Sequence, residues 1–212
     1  MRDYFWGEKK DDQPQDPMSV HEFASETKGH ASTDNNVVDT LHNRIYFYSG
    51  VTRPKILTLN KSIFSLNVNM LSKTAPLQYE PPPIILHINS YGGSVFAGLA
   101  AVDYIKNSKI PVHTVIDGCA ASAATLMSCV GSHRMMHRNS CMLVHQLSGV
   151  MWGKFQEMQD DMENSEMLME KIKNIYREHT KIPKKELENI LKHDIWWEAE
   201  KCLQYGLVDE II

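Results

Sequence analysis

Apolar residues recur along the chain in blocks whose spacing alternates between that of strands and that of helices. Continuous apolar runs at 84–88 and 111–116 are typical of strands buried in a parallel sheet. A helix-like segment follows each run, at 95–105 and at 120–130, and Gly118 marks the predicted turn of the second unit. Two consecutive strand–helix units predict an α/β fold with a parallel sheet and right-handed crossovers.

Further elements are predicted on both sides of these two units. Strands are expected at 44–48, 134–136, 141–145 and 207–211, and helices at 57–71, 154–180, 183–192 and 198–205. The helix at 154–180 carries an apolar stripe along roughly one face. Residues 1–40 show neither period and are predicted to be a polar, flexible N-terminal extension, so the folded domain is expected at 41–212.

The composition describes a soluble globular protein and excludes several kinds of partner. Apolar residues make up 42% and charged residues 23% of the chain. Lysine and arginine total 22 against 26 acidic residues, a net charge of −4 without a basic stripe, which argues against a nucleic-acid partner. The four cysteines lack zinc-site spacing and are predicted to be free thiols. Because neither a secretory leader nor a membrane-length apolar run is present, we expect a cytoplasmic protein without a membrane partner.

The clearest candidate for chemistry is Ser122, in the sequence Asp-Gly-Cys-Ala-Ala-Ser-Ala-Ala at 117–124. This serine lies between a predicted buried strand and a predicted helix, where the first turn of the helix presents free backbone N–H groups. The flanking alanines would let a substrate backbone approach. Two interpretations are open at this point, a covalent nucleophile or an ordinary helix cap.

A serine nucleophile needs a base, and His145 is the histidine best placed to be one. It follows the apolar strand at 142–144, and ligands bind at the carboxyl ends of the strands in a parallel α/β sheet. A core histidine bonded to backbone is the alternative. The base needs an orienting carboxylate, for which Asp194 is preferred because it lies in a predicted loop with apolar neighbours. The other acidic candidates are Asp160, Asp161 and Asp209.

A second glycine site, at 89–95, has the sequence Asn-Ser-Tyr-Gly-Gly-Ser-Val. It is either a silent strand-to-helix turn or a source of exposed backbone N–H groups that would stabilise an oxyanion together with the N–H of Ala123. It is not a phosphate-binding loop, because neither glycine-rich nucleotide motif is present.

Four motifs, taken in order, resemble those of the ClpP family, the proteolytic subunit of ATP-dependent Clp protease. They are the Gly-Gly site at 88–95, the serine site at 118–123, Met-Leu-Val-His-Gln at 142–146, and Tyr-Gly-Leu-Val-Asp at 205–209. The resemblance covers about 44–212, and the spacing of Ser122, His145 and Asp194 matches that family's pattern. It implies a fold of the ClpP/crotonase type with a protruding handle helix at about 147–180.

The resemblance also implies an activity and a site. The implied activity is that of a serine endopeptidase with a triad of Ser122, His145 and Asp194, which cleaves unfolded polypeptides in a chamber and needs no metal or cofactor. Its oxyanion hole would be made by the backbone N–H groups of Gly93 and Ala123. An extended peptide would bind by its main chain between the strand at 93–95, which includes Ser94 and Val95, and the segment Leu147, Ser148 and Gly149.

The implied assembly is a homo-oligomer of two stacked seven-membered rings, a tetradecamer, that works with an AAA+ unfoldase. The apolar stripe of the long helix would then be an interface between rings. Two departures stand out, because Leu147 replaces the usual proline and His193 replaces the arginine that pairs the rings. Two alternatives to a serine endopeptidase are open, a crotonase-like acyl-CoA enzyme and a non-catalytic ring subunit of a Clp-type complex.

Overall fold

The computed structural model describes residues 37–212, which form an eight-stranded mixed sheet with six α-helices. The strands are β1 (Val37–Leu41), β2 (Arg44–Tyr48), β3 (Ile84–Ser90), β4 (Val112–Ala121), β5 (His133–Met136), β6 (Cys141–Leu143), β7 (Trp196–Glu198) and β8 (Glu210–Ile211). The helices are α1 (Arg53–Thr74), α2 (Val95–Lys106), α3 (Ala123–Cys129), α4 (Phe155–His179), α5 (Lys184–Ile190) and α6 (Ala199–Gln204). A short 3-10 helix, Ala75–Leu77, follows α1.

The sheet follows the order β1-β2-β3-β4-β5-β8, with β6 paired to β4 and β7 paired to β6. Every pairing is parallel except β1 with β2 and β6 with β7. The predicted α/β class with two consecutive strand–helix units is confirmed. The apolar runs at 84–88 and 112–116 lie in the centre of the sheet, and most of their apolar side chains belong to the buried core.

The predicted turn at Gly118 is wrong, because β4 continues through this glycine to Ala121. Gly118 has φ +83°, which bends the strand without ending it. Before the bend Ile116 pairs with β5, and after it Cys119 pairs with β6. The helix that was expected from residue 120 therefore begins only at Ala123, and Ser122 is the one residue between strand and helix.

Two boundaries also differ from the predictions. β1 lies within the folded sheet, where Val38 pairs with Phe47 of β2, so the expected domain start at 41 is wrong. The rest of the predicted extension, 1–36, lies outside the described residues. At the other end of the chain, the strand expected at 207–211 is shortened to β8, which is nevertheless at the sheet edge.

Helix α4 divides into two halves that differ in burial. No side chain between 155 and 167 is buried, and Phe155 is 71% exposed. The second half packs on the domain through Leu168, Ile172 and Tyr176, which are all buried. Inside this contact the hydroxyls of Tyr176 and Thr125 of α3 are hydrogen-bonded at 2.5 Å. The helix that follows Ser122 is thereby fixed to the buried half of α4.

Candidate active site

Ser122 occupies a strained position between β4 and α3. Its φ of 60° and ψ of −129° lie outside the regions that non-glycine residues favour, at a cost of about 1–3 kcal/mol. The position is held by the backbone, because the N–H of Ser122 donates to the carbonyl of Leu143 at 2.9 Å. The side chain is buried, and its Oγ has no hydrogen-bond partner among residues 37–212. Strain of this kind is characteristic of functional residues.

Gly92 lies directly against this serine. A Cβ added to Gly92 would be 2.6 Å from the Cβ of Ser122 and 3.0 Å from its Oγ, and the glycine has φ +94°. No other residue type fits here without moving the serine. The sequence singled out Gly93 as the important glycine of this turn, whereas the structure shows that Gly92 makes the closest approach.

His145 and Asp194 form a hydrogen-bonded pair. The distance from Nδ1 of His145 to Oδ1 of Asp194 is 2.7 Å, and the histidine is buried while the aspartate side chain is 54% exposed. A carboxylate only accepts hydrogen bonds, so Nδ1 carries the hydrogen and Nε2 is left with a lone pair in the neutral ring. This is the tautomer that a general base requires.

The sheet explains how residues far apart in sequence come together. Ala121 pairs with Leu143 across β4 and β6, so Ser122 and His145 both follow the same end of neighbouring strands. Strand β7 pairs with β6 on its other side, with Trp196 opposite Leu143, which brings the segment containing Asp194 beside His145. The side-chain bond from Ser122 to His145 is not formed, and such bonds are often long or poorly aligned in the absence of substrate.

Two of the alternative acidic residues have other partners. Asp209 receives hydrogen bonds from the guanidinium of Arg134, which lower the pKa of its carboxyl. Asp160 accepts a bond from Gln156 of the same helix at 2.9 Å. Of the sequence candidates, Asp194 is the one that the structure places at His145.

The structure corrects the expected peptide-binding strand at 93–95. Gly93 forms a parallel bridge with Val51, whereas Ser94 is buried and caps α2 by accepting from the N–H of Ala97. Val95 is fully buried and begins α2, so an extended segment that reaches Val95 is wrong. The main chain ceases to be extended because the Ser94 hydroxyl starts the helix.

The opposite segment lies in the chain that leads from His145 to α4. Leu147 is half-buried, and its N–H contacts the sulfur of Met169 at 3.2 Å. Ser148 and Gly149 are exposed, and nothing lies within 4 Å of a Cβ added to Gly149. This segment is in neither a helix nor a strand.

A second network of titratable residues, which the sequence analysis missed, crosses the sheet from β2 to β4. Asp117 accepts hydrogen bonds from Tyr48 at 2.7 Å and from Nδ1 of His87 at 2.8 Å, and His137 lies 3.2 Å from its other oxygen. The guanidinium of Arg44 lies 2.9 Å from Nε2 of His87. Burial acts to raise the pKa of Asp117, but the bonds from His87 and Tyr48 outweigh it and lower the pKa. Burial and the bond to Asp117 raise the pKa of Tyr48 to about 12.

The remaining reactive features of residues 37–212 concern cysteines, metal ligands and membrane-length helices. The four cysteines are free, as predicted, although Cys119 and Cys141 are only partly buried. No group of three or more His, Cys, Asp or Glu side chains in this part of the chain is arranged for metal binding. None of the helices described there combines the length and the apolarity needed to cross a membrane.

The fold and the serine turn place the chain in the class of mixed α/β proteins that present a serine between a strand and a helix, and comparison with known proteins identifies the family. The Clp protease family model matches residues 44–212. The chain therefore belongs to the Clp protease family, as the motifs predicted.

Individual relatives agree with this assignment. The ATP-dependent Clp protease proteolytic subunit of Deinococcus radiodurans is 29% identical over 170 residues, 78% of this chain and 83% of the relative. ATP-dependent Clp protease proteolytic subunit 1 of Chlamydia caviae is 30% identical over 185 residues, 84% and 90% of the two chains. A solved structure of a ClpP1 point mutant from Listeria monocytogenes has a TM-score of 0.69 at 24% identity, over 81% of this chain and 91% of that one. The last comparison shows a shared fold.

Proposed function

We propose that this protein is the proteolytic subunit of a Clp-type protease and that it cleaves unfolded polypeptides with Ser122, His145 and Asp194. The observation that carries the proposal is the 2.7 Å bond between His145 and Asp194, at the carboxyl ends of the strands, where Ser122 is held in a strained turn. Membership of the family supports the same activity. It also favours peptide hydrolysis over the acyl-CoA alternative.

The reaction follows from the roles of the three side chains. Nε2 of His145 takes the proton of Ser122 as Oγ attacks the peptide carbonyl, and Asp194 stabilises the resulting imidazolium. The same proton then passes to the leaving amine as the C–N bond breaks, which leaves an ester on Ser122. Water, deprotonated by His145, hydrolyses that ester and restores the serine.

The negative charge that develops on the substrate oxygen needs hydrogen-bond donors. We assign this role to the backbone N–H groups of Gly93 and Ala123. Ala123 is the first residue of α3, so its N–H has no acceptor within the helix. Gly93 directly follows Gly92, the glycine that contacts Ser122. One oxyanion-hole donor typically contributes roughly a hundredfold or more to turnover.

Substrate recognition in this proposal uses the peptide main chain. The end of β4 before Ser122 pairs on one side with β3, which leads to Gly93, and on the other with β6, which leads to the exposed residues of 147–149. Ser94 and Val95 contribute through the position of their backbone, since both side chains are buried. Main-chain recognition imposes little sequence preference, which suits the degradation of many substrates.

The proposed assembly is two stacked seven-membered rings in the cytoplasm, supplied with unfolded chains by an AAA+ unfoldase. Two curated relatives are named as subunits of ATP-dependent Clp proteases. The handle segment from 147 supports the stacking, because it exposes large apolar side chains that water disfavours. These exposed side chains are Val150, Met151, Trp152, Phe155, Met158 and Met162.

Cleavage of an unstructured protein such as casein tests the activity, with and without an AAA+ unfoldase and ATP. Ser122→Ala is expected to abolish cleavage and to leave the mass in solution unchanged. Ser128→Ala is the matched control, because Ser128 is equally buried, lies on α3 and donates to the carbonyl of Thr125 on the same helix. Cleavage that persists in Ser122→Ala contradicts the proposed activity. A wild-type protein that assembles but neither cleaves nor takes up an acylating reagent is a non-catalytic ring subunit.

A further inference from the structure

Two aromatic rings meet at the surface, one from each of the segments that flank Ser122. The ring centroids of Tyr91 and Trp196 are 6.3 Å apart and the ring planes make an angle of 85°, an edge-to-face arrangement. Such pairs attract each other beyond the effect of the area they bury. Since Tyr91 is 62% exposed, core packing does not explain the contact.

Tyr91 belongs to the turn that carries the two glycines. It directly precedes Gly92, whose backbone lies against Ser122, and stands two residues before Gly93, the proposed oxyanion donor. Tyr91 itself is in neither a strand nor a helix. A contact made by the Tyr91 ring can therefore restrict the movement of this glycine turn.

Trp196 is attached to the other side of the site. It begins β7 opposite Leu143, whose carbonyl accepts the N–H of Ser122. Two residues earlier stands Asp194, in the irregular stretch 193–195, with its side chain 54% exposed. A carboxylate on an irregular, exposed segment keeps a productive geometry only if neighbouring groups hold that segment in place.

We propose that Tyr91 and Trp196 form a positioning pair, which holds the segment bearing Asp194 against the Gly92–Gly93 turn. The ring contact would fix the distance between the carboxylate of Asp194 and the backbone N–H of Gly93, which lie on the two sides of Ser122. Neither ring acts on the substrate in this role, because the effect passes through Asp194 and Gly93. The inference rests on the proposed serine-protease function.

The test measures the rate at which a fluorophosphonate phosphonylates Ser122, with loss of fluoride, between pH 5.5 and 9 in the assembled full-length protein. Tyr91→Leu and Trp196→Leu remove a ring and keep an apolar side chain, and each is expected to slow phosphonylation by about threefold to tenfold. The double variant is expected to be no slower than the slower single variant, since both changes remove one contact. Tyr91→Phe and Trp196→Phe, which keep a ring, are expected to recover most of the rate.

The pH profile distinguishes a displacement of Asp194 from a general loss of folded structure. A nearby carboxylate favours the protonated imidazole, so a displaced Asp194 is expected to move the acid limb of the profile to lower pH. Tyr79→Leu is the matched control, because Tyr79 is also 62% exposed and belongs to the irregular stretch that precedes β3. Thermal melting and solution mass establish that each variant is folded and assembled.

Three results overturn the inference: unchanged rates in both leucine variants, effects that multiply in the double variant, or slower phosphonylation with an unmoved acid limb. A wild-type chain that takes no label overturns the proposed function itself, and the inference with it. The two failures are thus distinguished by the wild-type measurement.

Discussion

Nδ1 of His145 lies 2.7 Å from Oδ1 of Asp194, although the two residues are 49 positions apart in the chain. The bond fixes which imidazole nitrogen carries the hydrogen. Asp194→Asn would place an amide there, which can donate to Nδ1 and favour the wrong tautomer. We expect the rate of Ser122 acylation to fall by roughly a thousandfold or more, while the folded mass is retained.

The control for this change is Asp160→Asn. Asp160 is an acidic residue that the sequence also offered, but its partner is Gln156 on α4. The rate of this variant is expected to match that of the wild type. Equal losses in the two variants, or full activity in Asp194→Asn, would show that Asp194 has no orienting role.

Gly92→Ala tests the close approach of the glycine turn to the serine. The new Cβ would lie 2.6 Å from the Cβ of Ser122 at a φ of +94°, so either the turn or the serine must move. We expect acylation to fall at least tenfold, because a shift of about 1 Å in a catalytic group has effects of that order or larger. Rates should be compared with those of Gly50→Ala, where the nearest atoms are 3.8 Å and 3.9 Å from an added Cβ. Equal rates in both variants would contradict the geometry of the site.

The sequence was sufficient for the two central strand–helix units, because their apolar runs and following helices are local patterns. It was misleading at Gly118, since a glycine between a strand and small residues has the same pattern whether it ends the strand or bends it. The distinction depends on pairing, because β4 exchanges β5 for β6 at this point. Pairing with a strand twenty residues away leaves no local signal.

The same limitation applies to the missed contacts. The apolar run that contains His87 predicts only a buried strand, and nothing near it in the sequence indicates the bond to Asp117 on β4. Strand β7 is three residues long and is defined by its pairing with β6, so periodicity could not reveal it. Trp196 acquires its contact with Tyr91 only through that pairing.

Tyr176→Phe tests how α4 supports the helix that follows Ser122. The Tyr176 hydroxyl is buried and bonded to Thr125, and burial raises its pKa, so the group is neutral and its loss removes one hydrogen bond. We expect the free energy of unfolding to fall by about 1 kcal/mol, measured by urea denaturation. Tyr104→Phe, on the exposed side of α2, should change it by less than about 0.5 kcal/mol. A stability loss in the control equal to that in Tyr176→Phe would show that the buried bond contributes nothing.

Asp209→Asn tests the ion pair that connects β5 to the chain end. Bonds from Arg134 lower the pKa of Asp209, so the folded state gains stability from the charged carboxyl above the unfolded pKa of about 3.9. That gain is lost as the pH falls through the lower folded pKa. Because the side chain is 37% exposed, the difference between wild type and variant is expected to be about 1 kcal/mol or less at pH 7.

Urea denaturation at pH 7, 5 and 3 measures this difference directly. It should be constant from pH 7 to 5 and smaller at pH 3, because pH 3 lies below the unfolded pKa and the unfolded chain there binds more protons at this carboxyl than the folded chain does. A difference that grows as the pH falls would have the wrong sign for a carboxyl whose pKa is lowered by folding.

The most direct test of the central claim, that Ser122 is a nucleophile activated by His145, is peptide mapping of the protein after reaction with a fluorophosphonate. We expect one adduct per chain, on the hydroxyl of Ser122, and none in His145→Ala. An adduct on another residue, or labelling of Ser122 that proceeds equally well in His145→Ala, would contradict it.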